Sequence, residues 1–173
     1  MQRFILILTC IIVTVIFALQ GFQPKYMLPA VADDSEEVQT ENSGAQAPQL
    51  AIDDIYFNVS VMGVEDATAE RLEQDFGISP FLYTGVWGKY SDGRFGAADV
   101  IILQPRPGME QDVREALQSI KLSRMSLFKN YDIYNAYATC ENGSIVERGG
   151  YIILLMLEDQ TAAMESINKY ISR

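Results

Sequence analysis

Along this chain the pattern of apolar and polar positions changes character three times. Phe4 to Leu19 reads FILILTCIIVTVIFAL, without a charge or a proline. Extended to Phe22 the run is about nineteen residues, roughly 28 Å of helix against a hydrocarbon core of about 30 Å. From Asp33 the chain reads DDSEEVQTENSGAQAPQ, acidic and small, with one isolated valine. Such a stretch has too little apolar surface to offset its ordering entropy, so it predicts a disordered stalk. Beyond Gln49 the apolar residues return with periodicity. The organisation expected is therefore an N-terminal hydrophobic helix over residues 1–23, an acidic linker over 24–49, and one folded domain over 50–173.

Within the domain, Ile55, Phe57, Val59 and Val61 alternate, so Ile52 to Met62 reads equally as a strand or a short helix. Asp66 is the expected N-cap of a short helix that Gly77 ends. Ser79-Pro80 opens about one further helical turn. Tyr83 to Tyr90 reads as a strand, Ser91-Asp92-Gly93 as a turn, and Ala98 to Gln104 as the hairpin partner, stopped by Pro105 and Pro107. Met109 to Asn130 is the clearest helix. Glu110, Asp112 and Glu115 lie near its start and Lys121, Arg124 and Lys129 near its end, and Val113, Leu117, Ile120, Leu127 and Phe128 share one face. Ser144 to Arg148 and Tyr151 to Leu157 flank Gly149-Gly150, a second hairpin. Asp159 caps a last helix with Ala163, Ile167, Tyr170 and Ile171 facing inward.

The fold class expected is α+β: an antiparallel sheet built from two β-hairpins with two helices packed on it, preceded by the single N-terminal hydrophobic helix. One feature resists a two-layer arrangement. Tyr151 to Leu157 and Val100 to Leu103 show no polar alternation, so both faces of these strands require cover. Either Leu50 to Gly63 supplies it, or the bare face is a partner surface.

Composition narrows the chemistry. All 23 acidic residues lie at or after Asp33, with 11 of the 13 basic ones, so the chain beyond Ala32 carries 11 − 23 = −12. That charge repels phosphate and argues against nucleic acid as a partner. The sequence has no histidine, which removes the commonest general base and metal ligand. Cys10 lies in the apolar run and Cys140 in the domain. A disulfide between them is not expected, and nothing beside Cys140 would activate its thiol.

Arg3 precedes the apolar run and an acidic stretch follows it. By the positive-inside rule the N-terminus is cytoplasmic and the rest outside. The run reads as a signal anchor, with the membrane as partner through Phe4 to Phe22. The other reading is a signal peptide cleaved after Ala30-Val31-Ala32, which would give a secreted protein, although that site lies about ten residues beyond the run. Cys10 stands too early in the run for lipidation.

DFGISP (Asp75 to Pro80), ADVIILQPRPG leading into VREAL, and VERGGYIILLMLED with its closing helix resemble a domain-of-unknown-function family found in secreted and lipid-anchored proteins of Gram-positive anaerobic bacteria. The resemblance runs from Ala67 to Arg173. It implies an extracytoplasmic home and a compact α+β domain, and it brings no functional residue with it. The chain departs from the lipid-anchored members by lacking a cysteine placed for lipidation.

Candidate chemistry is sparse. Asp53-Asp54 and Glu65-Asp66 are paired carboxylates without the spacing of a calcium loop. Tyr131, Tyr134 and Tyr137 recur every third residue in YDIYNAY, as a stacking platform for a ligand or as the wet edge of a core. Arg124 projects from the apolar helix face, to meet an anion or to pair with a carboxylate. No cofactor, metal or catalytic residue is expected. Three functions stay open: an extracytoplasmic binding or protein-interaction module, which these four residues would serve as a ligand or partner surface; an enzyme using carboxylates; and an accessory subunit of a membrane complex.

Overall fold

The structure, a computed structural model, describes residues 40–173. The apolar run at Phe4 to Phe22 and the linker as far as residue 39 lie outside the described residues. Among the described residues, no helix is long and apolar enough to cross a membrane.

The elements run α1 (Thr40–Phe57), β1 (Val64–Asp66), α2 (Ala69–Phe76), a 3-10 turn (Pro80–Leu82), β2 (Tyr83–Ser91), β3 (Asp99–Pro105), α3 (Glu110–Phe128), α4 (Ala136–Glu141), β4 (Ser144–Arg148), β5 (Tyr151–Met156) and α5 (Gln160–Tyr170). The strands form one five-stranded antiparallel sheet in the order β1-β2-β3-β5-β4. The two hairpins are β2–β3 and β4–β5. They join through the central pair β3–β5, in the register Asp99 to Met156 and Leu103 to Ile152. The short edge strand β1 adds to the expected pair of hairpins.

The unalternating strands sit at the centre of three layers, not two. Ile101 and Leu103 of β3, with Ile152, Leu154 and Met156 of β5, face one core, which Leu72 of α2, Val113, Leu117, Ile120 and Phe128 of α3, and Cys140 of α4 complete. Val100 and Ile102, with Ile153 and Leu155, face a second core closed by Ala51, Ile52 and Ile55 of α1 and Ala163 and Ile167 of α5. The two helices expected to pack on the sheet, α3 and α5, lie on its opposite faces. A strand apolar on both sides needs that arrangement, because each methyl left in water forfeits about 25 cal/mol per Å² of apolar surface. The cover expected from Leu50 to Gly63 is present, as a helix up to Phe57. The boundary expected at Leu50 falls inside this helix.

Local chemistry sets the ends. Thr68, not Asp66, is the N-cap of α2: its side chain accepts from Arg71 N at 3.2 Å. Asp66 ends β1 and lies 2.8 Å from Lys89 Nζ. Gly77 closes α2 with φ 69°, a left-handed conformation that glycine adopts at no steric cost. Asp159 caps α5 by accepting from Ala162 N at 3.0 Å. On α3, Leu127 is exposed rather than inward, since Arg124 and Phe128 occupy the buried face at that end.

Candidate functional site

Five strand ends lie at one pole of the sheet: Val64 pairs with Ser91, Asp99 with Met156, and Ser144 with Leu155. The connections that leave this pole enclose a cleft of about 350 Å³. That is within the range of small-ligand sites. Its floor is Ile55, Ala98, Leu157 and Ala163, all buried, and its walls carry Val59, Val61, Phe95 and Tyr134. Asn58, Ser60, Thr139, Glu158, Asp159 and Ser166 supply the polar atoms.

A buried polar network braces the β2–β3 loop that forms one wall. The Asp99 carboxylate accepts from Ser91 N at 2.9 Å, Ser91 Oγ at 3.0 Å and Arg124 Nε at 2.7 Å. A second guanidinium nitrogen of Arg124 donates to the Ser91 carbonyl. The guanidinium also stands 5.6 Å from the ring centres of both Phe76 and Tyr90. From the opposite face, Tyr56 Oη reaches the carbonyls of Lys89 at 2.9 Å and Ala98 at 2.7 Å. Both ends of the loop are thus fixed, one core on each side.

The four residues expected to form a ligand or partner surface are not brought together. Arg124 is buried and committed to Asp99 and Ser91, because a guanidinium on an apolar helix face must find a carboxylate or leave the core. Tyr137 packs half-buried against the α3-side core. Tyr131 is 68% exposed and lines no part of the cleft. Tyr134 alone lines it, 82% exposed. The triplet spacing fails because α4 starts only at Ala136, after Tyr134 and Asn135 turn the chain with φ of 51° and 59°. Gly96 backs onto this turn: a Cβ there would sit 3.6 Å from Tyr134 Cβ.

The paired carboxylates are spoken for separately. Asp54 lies 3.3 Å from Lys169 Nζ, and hydrogen bonding from Ser166 foremost holds its carboxyl below the usual range. Glu65 pairs with Arg71, and Asp53 accepts from Gln49 Nε2 at 2.9 Å. Among the described residues, no three Asp, Glu, Cys or His side chains gather as a metal site. Cys140 is buried, and burial pushes its thiol up to about 12.

Asp99, Ser91, Phe95 and Glu158 went unseen in the sequence. Asp99 did leave a signal: an acid opening the apolar run DVIIL must face a core, and Arg124 was the cation without an obvious partner.

The sequence profile of the family described as Domain of unknown function (DUF4358) matches residues 58–157, more than half the chain. The chain belongs to this family. No curated protein and no solved structure matches it. The DUF4358 match begins just after α1 and ends with Leu157. It therefore holds the loop walls of the cleft, while Ile55 and the Glu158–Ser166 side come from the flanking helices.

Proposed function

We propose that this DUF4358 protein is an extracytoplasmic, membrane-anchored binding module whose ligand enters the cleft at the pole of Tyr134. The observation that carries this reading is where the cleft lies relative to the entry of the chain. Ala47 in the first half of α1 borders the Gly149-Gly150 turn, at the pole opposite the cleft. Within the domain, α1 thus runs from the pole of the Gly149-Gly150 turn to the pole of the cleft, which Ile55 near its end helps to line. The apolar run at Phe4 to Phe22 and the acidic stretch after it supply the anchor and the spacer.

Binding is preferred to catalysis on chemical grounds. Among the described residues, the carboxylates whose pKa departs from the ordinary value, Asp54 and Asp92, are both lowered, each by hydrogen bonds and a neighbouring cation. An acid catalyst working near neutral pH needs the opposite shift.

The full chain, expressed with a C-terminal tag and fractionated, tests this. It is expected to resist carbonate extraction, to lose its domain to protease added outside the cell, and to retain Met1. A mature chain starting at Asp33, or a tag protected from external protease, overturns the anchored topology.

A further inference from the structure

We infer that the cleft takes a cationic group on a short apolar stem, an alkylammonium or arylalkylammonium such as a lysine-like side chain or a small amine. This rests on the binding reading of the cleft and narrows its ligand class.

Three observations converge. First, the cleft lining contains two charged residues, Glu158 and Asp159, both exposed carboxylates, and no Lys or Arg. Asp159 Oδ1 is occupied as the cap of α5, but Glu158 has no hydrogen-bond or ion-pair partner among the described residues. The nearby cations are already neutralised: Arg94 by Asp92, and Lys169 by Asp54. An anionic ligand would meet only like charge, whereas an ammonium would meet an unpaired carboxylate.

Second, the rim is aromatic. Tyr134 presents its ring at the mouth, held by a left-handed backbone (φ 51°) that a tyrosine rarely adopts. Phe95 lines the cleft beside it, and the Arg94 guanidinium already stands 6.0 Å from its ring centre. Ring faces attract cations by about 0.5–2 kcal/mol, more as water is excluded.

Third, the floor of Ile55, Ala98, Leu157 and Ala163 has no use for a hydrophilic cation. It suits methylenes or a phenyl ring below the charge.

Three isosteric probes separate these contributions: 3-phenylpropylamine, 3-phenylpropanol and 3-phenylpropionate, titrated into ¹⁵N-labelled full chain in nanodiscs. The amine is expected to shift Phe95, Gly96, Tyr134 and Glu158 amides and to bind about tenfold tighter than the alcohol, with the propionate weakest. Glu158→Gln should bring amine and alcohol together. Tyr134→Leu should weaken the amine more than the alcohol, while Tyr134→Phe, which keeps the ring face, should preserve it. Equal binding of amine and alcohol at the cleft, or tighter binding of the propionate, overturns the cationic class and leaves the binding reading standing. Absence of cleft shifts with all three probes overturns both.

Discussion

Nε of Arg124 lies 2.7 Å from Oδ2 of Asp99, and the two side chains keep 7% and 0% of their surface in contact with solvent. This pair ties the middle layer to α3 directly beneath the cleft wall. The residues are 25 apart in sequence, so the contact welds the first hairpin to the helix that follows it.

Removing one partner strands the other in the core. Arg124→Met should destabilise the domain by about 3–5 kcal/mol, because the Asp99 carboxylate keeps its burial and loses its counter-charge. Asp99→Leu combined with Arg124→Met should be less destabilised than Arg124→Met alone, since no uncompensated charge remains. Urea denaturation of the two variants measures the difference. A double variant no more stable than the single one would show that packing against Phe76 and Tyr90, rather than charge, is what Arg124 supplies.

Tyr56 offers a smaller test on the opposite face. Its one hydroxyl proton is shared between the Lys89 and Ala98 carbonyls. Tyr56→Phe keeps the ring and removes that bond, at an expected loss of about 1–2 kcal/mol. Because the hydroxyl is what pins α1 to the hairpin, amide exchange along α1 near Ala51 and Ile55 should quicken. Unchanged exchange there would mean that the apolar face of α1 holds it without the hydrogen bond.

Gly88 has φ of 152°, and a Cβ there would fall 2.9 Å from Ile101 Cα and closer still to the Val100 carbonyl. The strands β2 and β3 approach through this position, and backbone cannot yield as a side chain can. Gly88→Ala should therefore cost more than 2 kcal/mol, on the order of a strained backbone plus a broken strand pairing. Gly77→Ala makes a useful comparison. Its φ of 69° is strained for alanine, but nothing lies within 4 Å of the added methyl, so about 1 kcal/mol is expected. Thermal melting of both variants separates conformational strain from collision.

These positions also explain which parts of the structure could be read beforehand. Gly149-Gly150 announced its hairpin because two consecutive glycines with φ of 57° and 80° have few other uses. Tyr151 to Leu157 announced a strand buried on both faces because apolar residues stood where alternation was due. The start of α1 was hidden by its polar first turns and by Pro48, which is a helix breaker by composition. Tertiary packing of Ala51, Ile52 and Ile55 against the sheet overrides that local signal. The cleft was illegible for a different reason. Its walls come from near residues 59, 96, 134 and 158, and no local pattern tells that these segments meet. Of the two uses read for Arg124, the structure bears out pairing with a carboxylate, but which one was hidden, since the helix face was visible and the partner strand was not.

Cys140 makes the alkaline limit of the fold testable. Its side chain is buried on α4 against the α3-side core, and burial raises its pKa from 9.0 to about 12. Tyr56 is raised as well, chiefly by burial and then by the charge of Asp99. Both groups are acids that stay neutral in the folded chain at a pH where the unfolded chain has lost the proton. The unfolded state then binds fewer protons, so stability falls as pH rises. The contribution of Cys140 is complete below pH 9.0 and is lost progressively between 9.0 and about 12. Urea midpoints should therefore drop steadily from pH 9 to 11, and Cys140→Ala should flatten that drop while costing stability at neutral pH through the lost sulfur packing. In a Cys10→Ser chain, a thiol-directed disulfide reagent at pH 8 should label Cys140 only as fast as the domain opens, since the thiolate is the nucleophile and little of it exists there. Rapid labelling of the folded chain at pH 8 would show that the thiol is reached and ionised without unfolding, and the burial argument for Cys140 would fall with it.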